Sequence, residues 1–296
     1  MKLWNEKFSP MLLAEIDKPF NSKDYIYEIK YDGVRVLVYV SPKKIKIINR
    51  NLNDMTYLFP ELDVLKNKVT KEVIFDGEII SEKDGKPSFS KLQERLHLKN
   101  KSKIKKLSME KTVTLIAFDI LYEDKNLIDL QLIQRKKYLN KYEDDDLFIK
   151  SFYVEEKGKE LFKRIQKLDL EGIVAKKKNG KYYINTRCDE WTKIKNFKCE
   201  EFYIGGYNIK KSEYVISILL GEYVNDKLMY VGSCSLSKKN PLYEKVINSK
   251  IIKNQFENYK DKGSFIKPVF KIKINYMERT KDNHLRQPFV KNEKPS

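Results

Sequence analysis

A lysine stands at position 30 in the octapeptide EIKYDGVR, residues 28–35, between a short apolar run and an Asp-Gly pair. An amine held at a strand end becomes a nucleophile when neighbouring cations favour its uncharged form. Arg35 follows just past the Asp-Gly pair. Five further stretches each place a charged or aromatic residue at an expected strand end: Arg50, Glu78, Phe118, Glu171, and the pair Lys193 and Lys195. Singly, each has an ordinary explanation as a turn residue, a cap, core or solvated surface. As an ordered set they supply what a nucleotide site needs: a platform for the base, an acid for the ribose or a metal, and cations around phosphates. Lys193 and Lys195, two apart on a strand, point to one side and can converge on one phosphate. These cations would favour the uncharged amine at Lys30 and stabilise charge on a pentavalent phosphorus. A carboxylate among them can hold Mg²⁺, which also neutralises a leaving pyrophosphate.

The elements that position these residues are mostly strands. Residues 25–29 and 34–40 are β-branched and aromatic, and the Asp32-Gly33 pair between them predicts a hairpin with Lys30 at its mouth. Strands are expected at 44–48, at 72–80 with a turn-like Asp76-Gly77 inside it, at 113–122 as a central buried strand, at 147–152, at 171–176 and at 191–195. Helices are expected near 60–69, 90–98, 130–141 and 155–168, and residues 101–112 read as basic and irregular. Residues 1–24 read as a lead-in that packs against the first strands, and a basic loop carries Arg187. A boundary falls at about 196–200. Beyond it, strands at 201–206, 214–223, 228–235 and 268–278 with one helix around 241–260 fit a small barrel of the OB type. There is no internal repeat and no low-complexity linker.

With 296 residues and a hydrophobic fraction of 41%, two domains are the default. No apolar run approaches the length of a membrane helix, and the start lacks the apolar core of a signal peptide. Cys188, Cys199 and Cys234 form no C-x-x-C pair. With His97 and His284 the only histidines, a disulfide framework and a zinc site are both excluded, and a reduced, cytoplasmic setting is expected. The net charge of +18 suggests a polyanionic partner, although 52 of the 60 basic residues are lysine in a chain rich in Asn, Ile and Tyr, which A/T-rich codons favour. The eight arginines are more informative, because four of them (Arg35, Arg50, Arg187 and Arg286) fall in the stretches of interest and arginine suits bidentate phosphate binding.

Lys30-x-Asp32-Gly33-x-Arg35, Asp76-Gly77-Glu78, Phe118-Asp119-Ile120-Leu121, Glu171 to Lys176 and Trp191-Thr192-Lys193-Ile194-Lys195 together resemble the ordered motifs of covalent nucleotidyltransferases. The likeness is strongest to the ligase domain of bacterial ATP-dependent repair ligases, which the GKPSF stretch with Leu92, Gln93 and Arg95, EEFYIGGY (200–207) and Leu285-Arg286-x-Pro288 also fit. It covers essentially the whole chain. The resemblance implies an α+β fold: a nucleotidyltransferase (adenylation) domain of antiparallel sheets with flanking helices at 1–198, then a small OB-fold barrel at 199–296. It implies a DNA ligase that forms lysyl-AMP on Lys30 from ATP, passes AMP to a DNA 5′-phosphate, and seals the nick with a 3′-hydroxyl. By family likeness Glu28 and Phe118 face adenine and Ile29 belongs to the nucleotide pocket. Arg35, Arg50 and Arg187 contact phosphates or ribose of nucleotide and nick, Glu78 reaches the ribose, and Lys193 and Lys195 take the α-phosphate. Glu78 and Glu171 hold Mg²⁺ or Mn²⁺.

The tail departs from the family pattern, offering Lys291 and Lys294 after Arg286 where an arginine-containing motif is expected. The expected partners are nicked duplex DNA and ATP, with no membrane and a monomeric clamp hinged near 196–200. An end-joining partner has no support in the sequence, which is that of a bacterial, plasmid or phage protein. Two other readings are open: an RNA ligase or capping guanylyltransferase, and an OB-containing nucleic-acid binder with a degenerate first domain. The nucleotide that becomes covalently attached, and the nicked duplex that is then sealed, separate these readings.

Overall fold

In the run VRVLVYV every residue but Arg35 is apolar or aromatic, and it forms a strand buried along most of its length. A computed structural model of the chain describes residues 2–83, 86–87, 89–110, 112–209 and 214–291. The chain divides into two units, Met1–Asn196 and Phe197–Ser296. The first contains strands β1 (Leu12–Glu15), β2 (Ser22–Ile29), β3 (Val34–Val40), β4 (Ile45–Asn49), β5 (Val73–Ile80), β6 (Glu82–Lys83), β7 (Lys86–Pro87), β8 (Thr114–Glu123), β9 (Phe148–Lys150), β10 (Tyr153–Glu156), β11 (Gly172–Lys177) and β12 (Arg187–Lys195). Its helices are α1 (Phe89–Leu96), α2 (Lys101–Glu110), α3 (Leu132–Leu139) and α4 (Gly158–Lys167).

Two five-stranded sheets carry the unit, in the orders β1-β12-β11-β2-β10 and β4-β3-β5-β8-β9. Both are mixed rather than antiparallel, because β1 runs parallel to β12 and β8 parallel to β9. The second of these pairs is joined through α3, and a crossover of this kind yields a parallel pair. The lead-in packs on β3 as expected, with the Trp4 and Phe8 rings against Tyr39, while its strand β1 pairs with β12 near the end of the unit.

The period of two along each strand separates two kinds of core. On β2, Tyr27 turns to α4 and packs with Leu161, Phe162, Ile165, Ile173 and Ile194, while Ile26 turns the other way. There Leu37, Tyr39 and Ile74 of the second sheet meet Val174 and Trp191 of the first. Glu28, Lys176, Lys193 and Arg35 continue along these inward faces, so the polar site is an extension of the apolar contact between the sheets.

Asp32-Gly33 does not make a hairpin. Strands β2 and β3 lie in different sheets, so residues 30–33 cross from one to the other. Neither residue has the positive φ that a two-residue hairpin turn requires. A glycine is needed at 33 for another reason: a Cβ there would lie 2.2 Å from the carbonyl oxygen of Ile79. Asp76-Gly77 is likewise a bulge in the pairing of β5 with β8, not a turn.

Three helix expectations change. Residues 101–110 form α2, whose buried stripe of Ile104 and Ser108 is too narrow to stand out among lysines. The 60–69 segment is 3₁₀, Pro60–Lys68, and β10 takes the residues expected to open α4. Arg187 opens β12 rather than lying in a loop.

The second unit is a seven-stranded antiparallel sheet: β13 (Lys198–Ile209), β14 (Val215–Val224), β15 (Lys227–Ser237), β16 (Ile251–Ile252), β17 (Ser264–Ile266), β18 (Lys271–Tyr276) and β19 (Phe289–Val290). Strand β13 pairs with β18 along its first half and with β17 past a bulge at Ile204/Gly206. Phe202, Ile204, Ile218, Leu220, Val231 and Ile274 form its core. The helix expected at 241–260 is only α5 (Leu242–Ile247), because Ile251–Ile252 pairs with β17 instead. No helix among the described residues is long and apolar enough to cross a membrane.

Candidate active site

Between the two sheets of the first unit lies a cavity of ≈ 240 Å³. Glu28, Ile29, Lys30, Arg35, Arg50, Glu78, Phe118, Arg187 and Lys193 line it, so the structure gathers in one place residues chosen from across the chain. Leu12, Leu13, Tyr31, Val174, Lys176 and Trp191 complete the wall; none has a role assigned from sequence, although Val174, Lys176 and Trp191 fall within the motifs.

At one end is an acid clamped by cations. Glu28 is 2% exposed. Its carboxylate lies 2.5 Å from Lys136 Nζ and 2.9 Å from Lys176 Nζ, and it accepts a 3.0 Å hydrogen bond from Ser151 Oγ. Burial works against the Glu28 charge, but the two ammonium groups prevail and hold its carboxyl below the usual range. Burial pulls Lys176 down to about 8 although Glu28 opposes it. Above Lys176, Phe118 and Trp191 meet edge to face with centroids 5.8 Å apart, and the Lys176 ammonium sits 4.4 Å and 3.9 Å from the two rings. Apolar faces beside a buried acceptor and a donor suit a nucleobase. Lys176 was legible in principle, since it alternates with Val174, which sits opposite Glu28 in the strand register. Lys136 carries no such signal among the lysines of α3.

At the other end is the reactive cluster. Lys30 leaves β2 with its amide donating to the Gly172 carbonyl, and its Nζ is 2.6 Å from Glu171 Oε1. Its direct charge partner is therefore a carboxylate rather than the ring of cations expected from sequence. Gly172 makes this possible. Its φ is +150°, and a Cβ there would meet the Ile194 carbonyl at 2.2 Å, so Glu171 can approach β12 only because the next residue has no side chain. Lys193 and Lys195 do converge on one acidic group, the Glu15 carboxylate, at 3.0 Å and 3.6 Å. Burial lowers the Lys195 amine from its ordinary value, with Glu15 opposing and Lys193 adding to the effect. Burial pushes the Glu78 carboxyl up to about 8 against the pull of Lys30 and Arg35, with the Glu171 charge adding to the rise.

Arg35 lines the cavity and is held from behind. It makes a two-pronged contact with the fully buried Asp76, 3.0 Å from Nε and 2.7 Å from Nη2, and the Tyr182 hydroxyl donates to the same carboxylate at 2.6 Å. Its guanidinium forms cavity wall, 5.3 Å from the Phe118 ring, with its hydrogen-bonding edge turned to Asp76. Arg187 donates to the Leu13 carbonyl, and Arg50 is exposed at the end of β4. In the second unit Arg286 pairs with Glu278 at 2.8 Å and the Lys291 amide donates to the Lys273 carbonyl. Lys294 lies outside the described residues, as do residues 84, 85 and 88 of the GKPSF region.

The family described as ATP dependent DNA ligase domain matches residues 10–195, which include every cavity residue named above. The chain belongs to that family. The SPbeta prophage-derived DNA ligase-like protein LigB of Bacillus subtilis is 31% identical over 287 residues, 95% of this chain and 96% of LigB. The multifunctional non-homologous end joining protein LigD of Mycolicibacterium smegmatis is 28% identical over 96% of this chain, which spans only 38% of LigD. Among solved structures, mycobacterial DNA ligase D complexed with ATP and MES matches with a TM-score of 0.60 at 23% identity, over 97% of this chain and 94% of that one. The ATP-dependent DNA ligase of bacteriophage T7 complexed with ATP gives 0.52 at 17%, over 97% and 98%. These likenesses establish a shared ligase fold of mixed sheets with few helices.

Proposed function

We propose that this ATP-dependent DNA ligase family member seals 5′-phosphate/3′-hydroxyl nicks in duplex DNA through lysyl-AMP on Lys30. The observation that carries the reading is the placement of Lys30 Nζ between an acid-and-aromatic pocket and a cluster of lysines and carboxylates. In the first step Lys30 Nζ, having given up a proton, forms a P–N bond to the ATP α-phosphorus as the P–O bond to pyrophosphate breaks. A DNA 5′-phosphate oxygen next displaces the lysine, so AMP moves to the DNA and the amine regains its proton. A 3′-hydroxyl then attacks that 5′-phosphorus, loses its proton, and expels AMP. Glu28, Lys176 and Phe118 orient the base, Glu171 aims the Lys30 amine, and Lys193 and Lys195 stabilise the α-phosphate charge.

Glu78 and Glu171 would hold Mg²⁺. They fit it, because the Glu171 charge adds to the burial that keeps Glu78 protonated, which a cation between them would relieve, and a hard cation takes one or two carboxylates with water and phosphate oxygens completing its shell. Bound there, the ion neutralises charge developing on pyrophosphate. In this reading residues 1–198 are the adenylation domain. Residues 199–296 are an OB barrel, with the long β13 shared among β14, β17 and β18, and the basic chain clamps nicked DNA as a cytoplasmic monomer.

Incubation with α-labelled ATP or GTP and Mg²⁺, followed by denaturing separation, tests the proposal. A protein-bound AMP label absent from Lys30→Ala is expected. A label retained on Lys30→Ala refutes the nucleophile, and a GMP label moves the chain to capping chemistry.

A further inference from the structure

The acid that gathers Lys193 and Lys195 belongs to no motif. Glu15 sits at the end of β1, opposite Lys193 in the parallel pairing, and the amide of Ile16 donates to the Lys193 carbonyl at 3.2 Å. The strand ladder therefore fixes its backbone beside the lysines, while its partly exposed side chain can turn toward solvent. Its carboxylate touches both ammonium groups, and Lys30 is matched in the same way by Glu171. Three lysines and two carboxylates thus leave the cluster close to balanced before any phosphate arrives. A phosphate entering the lysine pair meets a carboxylate of like charge in contact with the same two cations.

We propose that Glu15 is a positioning residue that competes with nucleotide phosphate for Lys193 and Lys195 and so sets the affinity for ATP. The carboxylate keeps the lysines extended toward the cleft and gives way when phosphate binds, which also helps the last step by weakening retention of AMP. This rests on the phosphate role proposed for the two lysines.

The test is Glu15→Gln, which keeps shape and removes charge. Two ion pairs, partly exposed, are each weak, so the variant should bind ATP about three- to tenfold more tightly. Equilibrium titration with ATP in a Lys30→Ala background reads this with no covalent step. It separates failure of this proposal from failure of the lysyl-AMP reading, which the labelling experiment measures. The KM for ATP in self-adenylation should fall by the same factor with little change in the saturating rate, and Glu15→Asp should restore weaker binding. In a Lys193→Met/Lys195→Met background the effect of Glu15→Gln should vanish. An unchanged or weaker ATP affinity in Glu15→Gln, in protein whose melting temperature matches wild type, overturns the proposal. So does tightening that persists without the two lysines.

Discussion

Glu28→Gln strips the contacting carboxylate from a pair of buried lysines, and its cost can be worked from the contacts. The Glu28 carboxylate is 2% exposed and is held by Lys136 at 2.5 Å, Lys176 at 2.9 Å and Ser151 at 3.0 Å. Removing one partner of a buried ion pair costs about 3–5 kcal/mol, because the remaining charge stays desolvated. In a unit of this size each kcal/mol lowers the melting temperature by about 2–4 °C, so a drop of about 6–20 °C is expected near neutral pH. The pH profile carries the sharper test. With its carboxyl held below the usual range, Glu28 contributes stability above the unfolded carboxylate pKa that is lost as pH falls through the folded value. The wild-type advantage must therefore shrink in acid. Lys176, pulled down to about 8 by burial, is already easily neutralised, and without Glu28 it releases its proton at lower pH still. A depressed lysine binds fewer protons folded than unfolded, so the variant gains stability as pH rises toward 8 and the deficit narrows there too. Calorimetric melts from pH 4 to 9 should show the greatest deficit at about pH 5–6 and a smaller one by about pH 8. A shift below about 2 °C at neutral pH, or a deficit flat across the range, would refute the view that Glu28 is the counter-ion of this cluster.

Glu78→Gln should act with the opposite sign. The folded carboxyl titrates at about 8 against an ordinary 4.5, so wild type binds an extra proton when folded and loses stability as pH rises through that window. Melts should show the variant gaining on wild type between pH 5 and 8, by on the order of 2–4 kcal/mol, with added Mg²⁺ narrowing the gap at pH 8. A gap independent of pH argues against the buried, protonated state. Gly172→Ala places a Cβ 2.2 Å from the Ile194 carbonyl at φ +150°, which should cost about 3 kcal/mol or more and displace Glu171 and Lys195. Denaturant titration and AMP labelling should fall together, and wild-type values in both would show that the strand contact is not tight.

Sequence alone determined whatever depends on neighbours along the chain. The period of two fixes Trp191, Lys193 and Lys195 on one face of β12, and the apolar runs mark β3, β5, β8 and β11, so most of the cavity wall could be named from spacing and family likeness. Tertiary structure decided the partners. Asp32-Gly33 reads locally as a hairpin, yet the packing of two sheets makes it a crossing, because the dipeptide cannot specify which sheet the next strand joins. Arg35 was legible as a site arginine, but the Asp76 and Tyr182 groups that hold it come from elsewhere in the fold. The ion pairs that set the electrostatics, such as Glu28 with Lys176 148 residues away and Glu15 with Lys193, leave no local trace in a chain with 52 lysines. Backbone preference and strand period act over a few residues. Coulomb contacts and desolvation act only between groups that folding has already brought together, and that is why the strands were legible and the counter-ions were not.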